Sequence, residues 1–137
     1  MKPRILIVDD DSAALYALSE VLGDLPARLV LVGSGEEALR QVLRQEFAVI
    51  LLDVRLPRMD GFEVAAAIRS LERLRRTPIV FMSAHEDRRR KPRPGAVHER
   101  YFRKPLAPEL VRETVASFLP SPPMELGLPE PVVQDPL

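Results

Sequence analysis

Short apolar runs alternate along this chain with longer segments whose apolar positions recur at three- and four-residue spacing. The first pattern fits strands covered on both faces and the second fits helices with one buried stripe. Their alternation predicts an α/β fold with a doubly wound parallel sheet flanked by helices. Strands are expected at Ile5 to Val8, Arg28 to Val32, Ala48 to Leu52 and Ile79 to Met82, with a less apolar fifth at Arg100 to Arg103. A first helix would bury Leu15, Leu18, Val21 and Leu22. A second opens with Ser34 and Glu37 at capping-box spacing and repeats Ala38, Leu39, Val42 and Leu43. A third follows Gly61 and uses Val64, Ile68 and Leu71. The last starts near Pro108, a good first-turn residue, and turns Leu110, Val111, Thr114, Val115, Phe118 and Leu119 to one side.

Right-handed crossovers between parallel strands gather all the carboxyl ends on one edge, where such sheets bind ligands. That edge would collect Asp9, Asp10 and Asp11 after the first strand, Asp53 after the third, Ser83 after the fourth and Lys104 after the fifth. Each has an ordinary reading by itself: Asp11 or Ser12 as a helix cap, Asp53 or Ser83 as a turn residue, Lys104 as a solvated base. Together they describe a cleft. Carboxylates sharing it would repel one another unless a cation joined them, and an all-oxygen set with room for water suits Mg²⁺ better than a Ca²⁺ cage.

Composition narrows the setting. The 137 residues suffice for one core, and 20 basic against 20 acidic side chains leave no net pull toward nucleic acid or membrane. The absence of cysteine excludes thiol chemistry and disulfides. No apolar run approaches the ~20 residues of a membrane span, and the run before Asp9 is short for a secretion signal, so a cytoplasmic protein is expected. From Pro120 onward the sequence carries six prolines and three acids in eighteen residues, which predicts a disordered tail or linker over 120–137 beyond a domain at 1–119.

The segments ILIVDDD at 5–11, ILLDVRLPRMDG at 50–61, PIVFMSAH at 78–85 and YFRKPL at 101–106 resemble, in order and nearly in spacing, the receiver domain of two-component response regulators. The resemblance covers about residues 3–119 and implies the strand order 2-1-3-4-5. It implies that Asp53 is a phosphoacceptor served by a sensor histidine kinase or phosphotransfer protein. Asp10 and Asp53 would bind Mg²⁺ directly, Arg55 through its backbone carbonyl and Asp9 through water, while Lys104 would neutralise the phosphoryl oxygens. Ser83 would hydrogen-bond the phosphoryl group, with Tyr101 coupled to it as a two-state switch. The output would be a change of protein-interaction surface toward an unknown downstream protein rather than catalysis. No DNA-binding helix pair follows residue 119, and direct nucleic-acid binding is not expected.

The family pattern is matched least well over residues 84–104. Pro92 and Pro94 disfavour a full fourth helix in residues 84–104, leaving room for a turn or two near Glu86 to Arg90. The bases Arg88, Arg89, Arg90, Lys91 and Arg93 lack interleaved aromatics and read better as a solvated loop than as a docking patch. Arg55 and His85 fall where the family tunes hydrolysis of the phosphoryl group. Two other functions compete: a pseudo-receiver that docks without phosphorylation, and a haloacid-dehalogenase-type phosphohydrolase with Asp9 as nucleophile.

Overall fold

The computed structural model describes residues 2–84 and 98–120. Five strands are β1 (Arg4–Val8), β2 (Arg28–Val32), β3 (Val49–Asp53), β4 (Ile79–Ser83) and β5 (Glu99–Arg103). The helices among the described residues are α1 (Ser12–Leu22), α2 (Gly35–Arg44), α3 (Gly61–Arg69) and α4 (Pro108–Ser117), with a short 3₁₀ turn at Glu72–Leu74. All strands pair in parallel in the order β2-β1-β3-β4-β5. This is the expected doubly wound architecture. The turns expected near Glu86 to Arg90, the basic cluster, His85 and the Pro-rich tail after Pro120 lie outside the described residues.

Strand residues alternate between two cores. Leu6, Val8, Ile50, Leu52, Ile79 and Phe81 face α2 and α3, where Val42, Val64 and Ile68 meet them. Ile5, Ile7, Val49, Leu51, Val80 and Met82 face α1 and α4, against Leu18, Leu22, Val111 and Val115. Because both faces are covered, the central strands need apolar side chains at every position, and β3 is buried from end to end. Edge strand β2 is covered less, and Leu31 is exposed.

Local chemistry sets the helix starts. Asp11 caps α1 by accepting the Ala13 N–H, Ser34 caps α2 by accepting the Glu37 N–H, and Asp60 caps α3 by accepting the Glu63 N–H. In the expected capping box the returning arm differs: the Glu37 carboxylate accepts from the Gly33 N–H at 3.4 Å. Three apolar assignments change. Leu43 and Leu110 are exposed, because nothing among the described residues covers that flank of α2 or of α4. Leu71 falls beyond the end of α3 and packs against the core from the following turn.

Candidate functional site

Backbone pairing continues past the ends of β1, β3 and β5 and holds the carboxyl edge in place. The Asp9 N–H donates to the Val32 carbonyl at 3.2 Å, and the Val54 N–H donates to the Met82 carbonyl at 2.9 Å, fixing the chain on either side of the β1 and β3 termini. The Lys104 N–H donates to the Ser83 carbonyl at 2.7 Å, tying the end of β5 to the end of β4. Asp53 is the last residue of β3 rather than the first after it, so its side chain inherits the burial of the strand.

Gly61 brings the third helix against this edge. Its N–H donates to the Val54 carbonyl at 2.7 Å, and a Cβ at this position would stand 2.3 Å from the Asp53 carbonyl oxygen. Only glycine permits so close an approach.

Side chains from three strand ends converge. Carboxylate oxygens of Asp9, Asp10 and Asp53 lie within 4.8 Å of one another, Asp9 and Asp53 buried and Asp10 exposed. Lys104 Nζ donates to Asp9 Oδ2 at 3.0 Å and to Asp53 Oδ2 at 3.4 Å. The second oxygens are also engaged: Asp9 Oδ1 accepts the Asp11 N–H at 2.9 Å, and Asp53 Oδ1 accepts the Arg55 N–H at 3.2 Å. Arg55 is thus within the site through its backbone, while its side chain is exposed.

The electrostatics follow from this crowding. Burial, reinforced by the charge of Asp9, pushes the Asp53 carboxyl up to about 6 from 3.8, against the opposing pull of Lys104 and the Arg55 N–H. Burial works against the charge on Lys104, yet its hydrogen bond to Asp9 and the charges of Asp53 and Asp9 outweigh that and raise its pKa. Three carboxylates meet one ammonium, which leaves two negative charges uncompensated within the cluster when all are ionised. An oxygen-only donor set with that excess fits a hard divalent cation.

Ser83 ends β4 beside this cluster. Tyr101 lies on the α2–α3 side of β5, its ring stacked on Phe81 at 4.9 Å, and Phe81 in turn meets Phe62 at 5.2 Å. The Tyr101 hydroxyl donates to Glu99 at 3.1 Å. Sequence reasoning missed Glu99 and the Arg69 side chain that joins it at 3.9 Å. Nothing in a lone arginine thirty residues upstream marks it as a partner, although the two-residue spacing of Glu99 and Tyr101 does place them on one strand face.

The family model for the response regulator receiver domain matches residues 5–116. The histidine-protein kinase BarA of Shigella flexneri is 29% identical over 117 residues, 85% of this chain but 13% of that protein. The sensor protein GacS of Pseudomonas syringae is 40% identical over 86 residues, 61% of this chain and 10% of that protein. The chain thus spans about a tenth of the length of these relatives. Among solved structures, the chemotaxis response regulator CheY4 of Vibrio cholerae superposes with a TM-score of 0.75 at 29% identity, covering 87% of this chain and 100% of that one. The receiver domain of the sensor histidine kinase PA1611 from Pseudomonas aeruginosa, which carries a magnesium ion in its active-site cleft, gives 0.75 at 29% identity and covers 86% and 98%. The five-stranded order, the aspartate and lysine cluster and the family match agree: this chain belongs to the response regulator receiver domain family of two-component phosphorelay systems.

Proposed function

We propose that this chain accepts a phosphoryl group on Asp53 from a phosphohistidine of a sensor histidine kinase or phosphotransfer protein, and that the acyl phosphate switches a protein-interaction surface. The observation that carries this reading is the position of Lys104 Nζ against both Asp9 and Asp53. An Asp53 oxygen attacks phosphorus, the P–N bond breaks as the P–O bond forms, and the imidazole leaves. Lys104 offsets the charge of the phosphoryl oxygens, and Ser83, at the end of β4, would donate its hydroxyl to one of them. Asp9, Asp10, Asp53 and the Arg55 carbonyl would hold Mg²⁺, which when bound supplies further charge neutralisation on the phosphoryl group. The reading takes residues 1–119 as the receiver unit, working in the cytoplasm on an as yet unidentified downstream protein. No helix among the described residues is long and apolar enough to cross a membrane.

The competing functions lose support at the same cluster. A pseudo-receiver would follow from displacement of Lys104, and Lys104 is in place. In the hydrolase reading the nucleophile is Asp9, but its side chain is 1% exposed against 8% for Asp53, so Asp53 is the more accessible of the two. The test is transfer from a phosphohistidine-bearing phosphotransfer protein in the presence and absence of Mg²⁺. Label on the wild type with Mg²⁺, and none on Asp53→Asn, is expected. Label that survives Asp53→Asn, or none on the wild type with any such donor, contradicts the reading.

A further inference from the structure

Strand register places Tyr101 midway between two groups it cannot serve at once. Along the β4–β5 pairing, Glu99 lies opposite Ile79, Tyr101 opposite Phe81 and Arg103 opposite Ser83. With about 3.3 Å per residue, the Glu99 rung and the Ser83 rung are separated by about 13 Å, with Tyr101 between them. All these residues share the face turned to α2 and α3. A tyrosine hydroxyl turned to the amino end of β5 is therefore turned away from the phosphoacceptor edge. In this structure it is turned to Glu99, donating at 3.1 Å.

Glu99 is itself held. One carboxylate oxygen takes the tyrosine hydroxyl, and the other faces Arg69 Nε at 3.9 Å. Arg69 reaches across from the end of α3 and donates to the carbonyls of Leu74 at 3.0 Å, Thr77 at 2.6 Å and His98 at 3.4 Å. It thereby locks the approach to β4 to the residue before β5. The Arg69 and Glu99 side chains are 22% and 21% exposed, so their attraction is less screened than that of a surface pair.

We propose that Glu99, oriented by Arg69, is a positioning residue that latches Tyr101 away from Ser83 and so holds the domain in its resting state. The proposal rests on the phosphoacceptor reading of Asp53 and adds a regulatory contact to it. Phosphorylation must then release the Glu99 bond before Tyr101 can turn toward the Ser83 end. The latch lowers the apparent affinity for any phosphoryl mimic by the fraction of molecules it holds closed.

The experiment uses the whole chain with Mg²⁺ and beryllofluoride, a phosphoryl mimic, followed by ring resonances of labelled tyrosine, of which there are only Tyr16 and Tyr101. In Glu99→Ala without beryllofluoride, the Tyr101 signal is expected to move toward its beryllofluoride-bound position, and the titration midpoint to fall about threefold to tenfold. In a Tyr101→Phe background, the same Glu99 change is expected to leave the midpoint unaltered. If Glu99→Ala does not fold, Glu99→Gln replaces it, with a smaller shift in the same direction. An unchanged Tyr101 signal and midpoint overturns the latch alone, as does a midpoint change that persists without the tyrosine hydroxyl. A wild type that never responds to beryllofluoride contradicts the receiver reading and takes the latch with it.

Discussion

Lys104 Nζ lies 3.0 Å from Asp9 Oδ2, ninety-five residues away in sequence. The contact joins the ends of β1 and β5, strands that are not neighbours in the sheet, across the carboxyl terminus of β3. Replacing Lys104 by Met leaves the buried carboxylates without their cation. The metal-free protein is expected to lose about 1–3 kcal/mol at neutral pH in denaturant titrations. Mg²⁺ affinity should rise severalfold as a competing positive charge is removed, while phosphoryl acceptance slows at least about tenfold. Equal acceptance rates in the two proteins would show that Lys104 is only a structural counter-ion.

Asp53 predicts a specific pH dependence. Its carboxyl sits at about 6 in the folded protein, above its ordinary 3.8, so the folded state holds this proton more tightly than the unfolded chain. Its stabilising effect is present at low pH and is lost as pH rises through about 6. Without metal, wild-type stability relative to Asp53→Asn should therefore fall from about pH 4 to pH 6 and level off above that, as read from thermal midpoints. Mg²⁺ needs the ionised carboxylate, so its affinity should weaken up to about tenfold per unit below pH 6. A stability difference that does not vary with pH contradicts the assignment.

Gly61 and Gly33 form a matched pair for mutagenesis. A Cβ on Gly61 would collide with the Asp53 carbonyl oxygen at 2.3 Å, whereas one on Gly33 meets only the Asp9 carbonyl oxygen at 4.0 Å. Gly61→Ala is expected to cost about 2–4 kcal/mol and to displace the Asp53 backbone, and Gly33→Ala to change stability by less than about 1 kcal/mol. Similar effects in the two variants would mean that the contact between α3 and β3 is not tight.

Much of this arrangement was legible in the sequence because two-sided burial writes itself as continuous apolar runs. The residue after such a run is forced to the sheet edge, which is how Asp9, Asp53 and Ser83 could be placed together, with Lys104 following from the weaker pattern of the fifth strand. Helical periodicity was less reliable for Leu43 and Leu110: spacing puts a residue on a flank, but only tertiary packing decides whether that flank is covered. Of the Arg69–Glu99–Tyr101 contacts, only the shared strand face of Glu99 and Tyr101 was legible. The contacts themselves depend on the register of β5 against β4 and on where α3 ends, and neither is encoded in any local pattern.

Arg55 has an exposed side chain two residues beyond Asp53, while its N–H holds Asp53 Oδ1. Substituting Arg55 together with His85 should alter the lifetime of an acyl phosphate on Asp53 by about threefold or more, because the receiver family pattern puts these two sequence positions where they tune its hydrolysis. Mg²⁺ affinity should change less, since the backbone contact survives. Decay followed by mass spectrometry, alongside a metal titration, checks both; equal lifetimes would remove any role for these side chains.

Whether Asp53 is the nucleophile is read from intact mass after incubation with Mg²⁺ and a small acyl phosphate. A single phosphoryl adduct on the wild type, labile at alkaline pH and absent from Asp53→Ala, is the predicted result. Donor turnover that requires Asp9 but survives Asp53→Ala, or no adduct on the wild type, would contradict it.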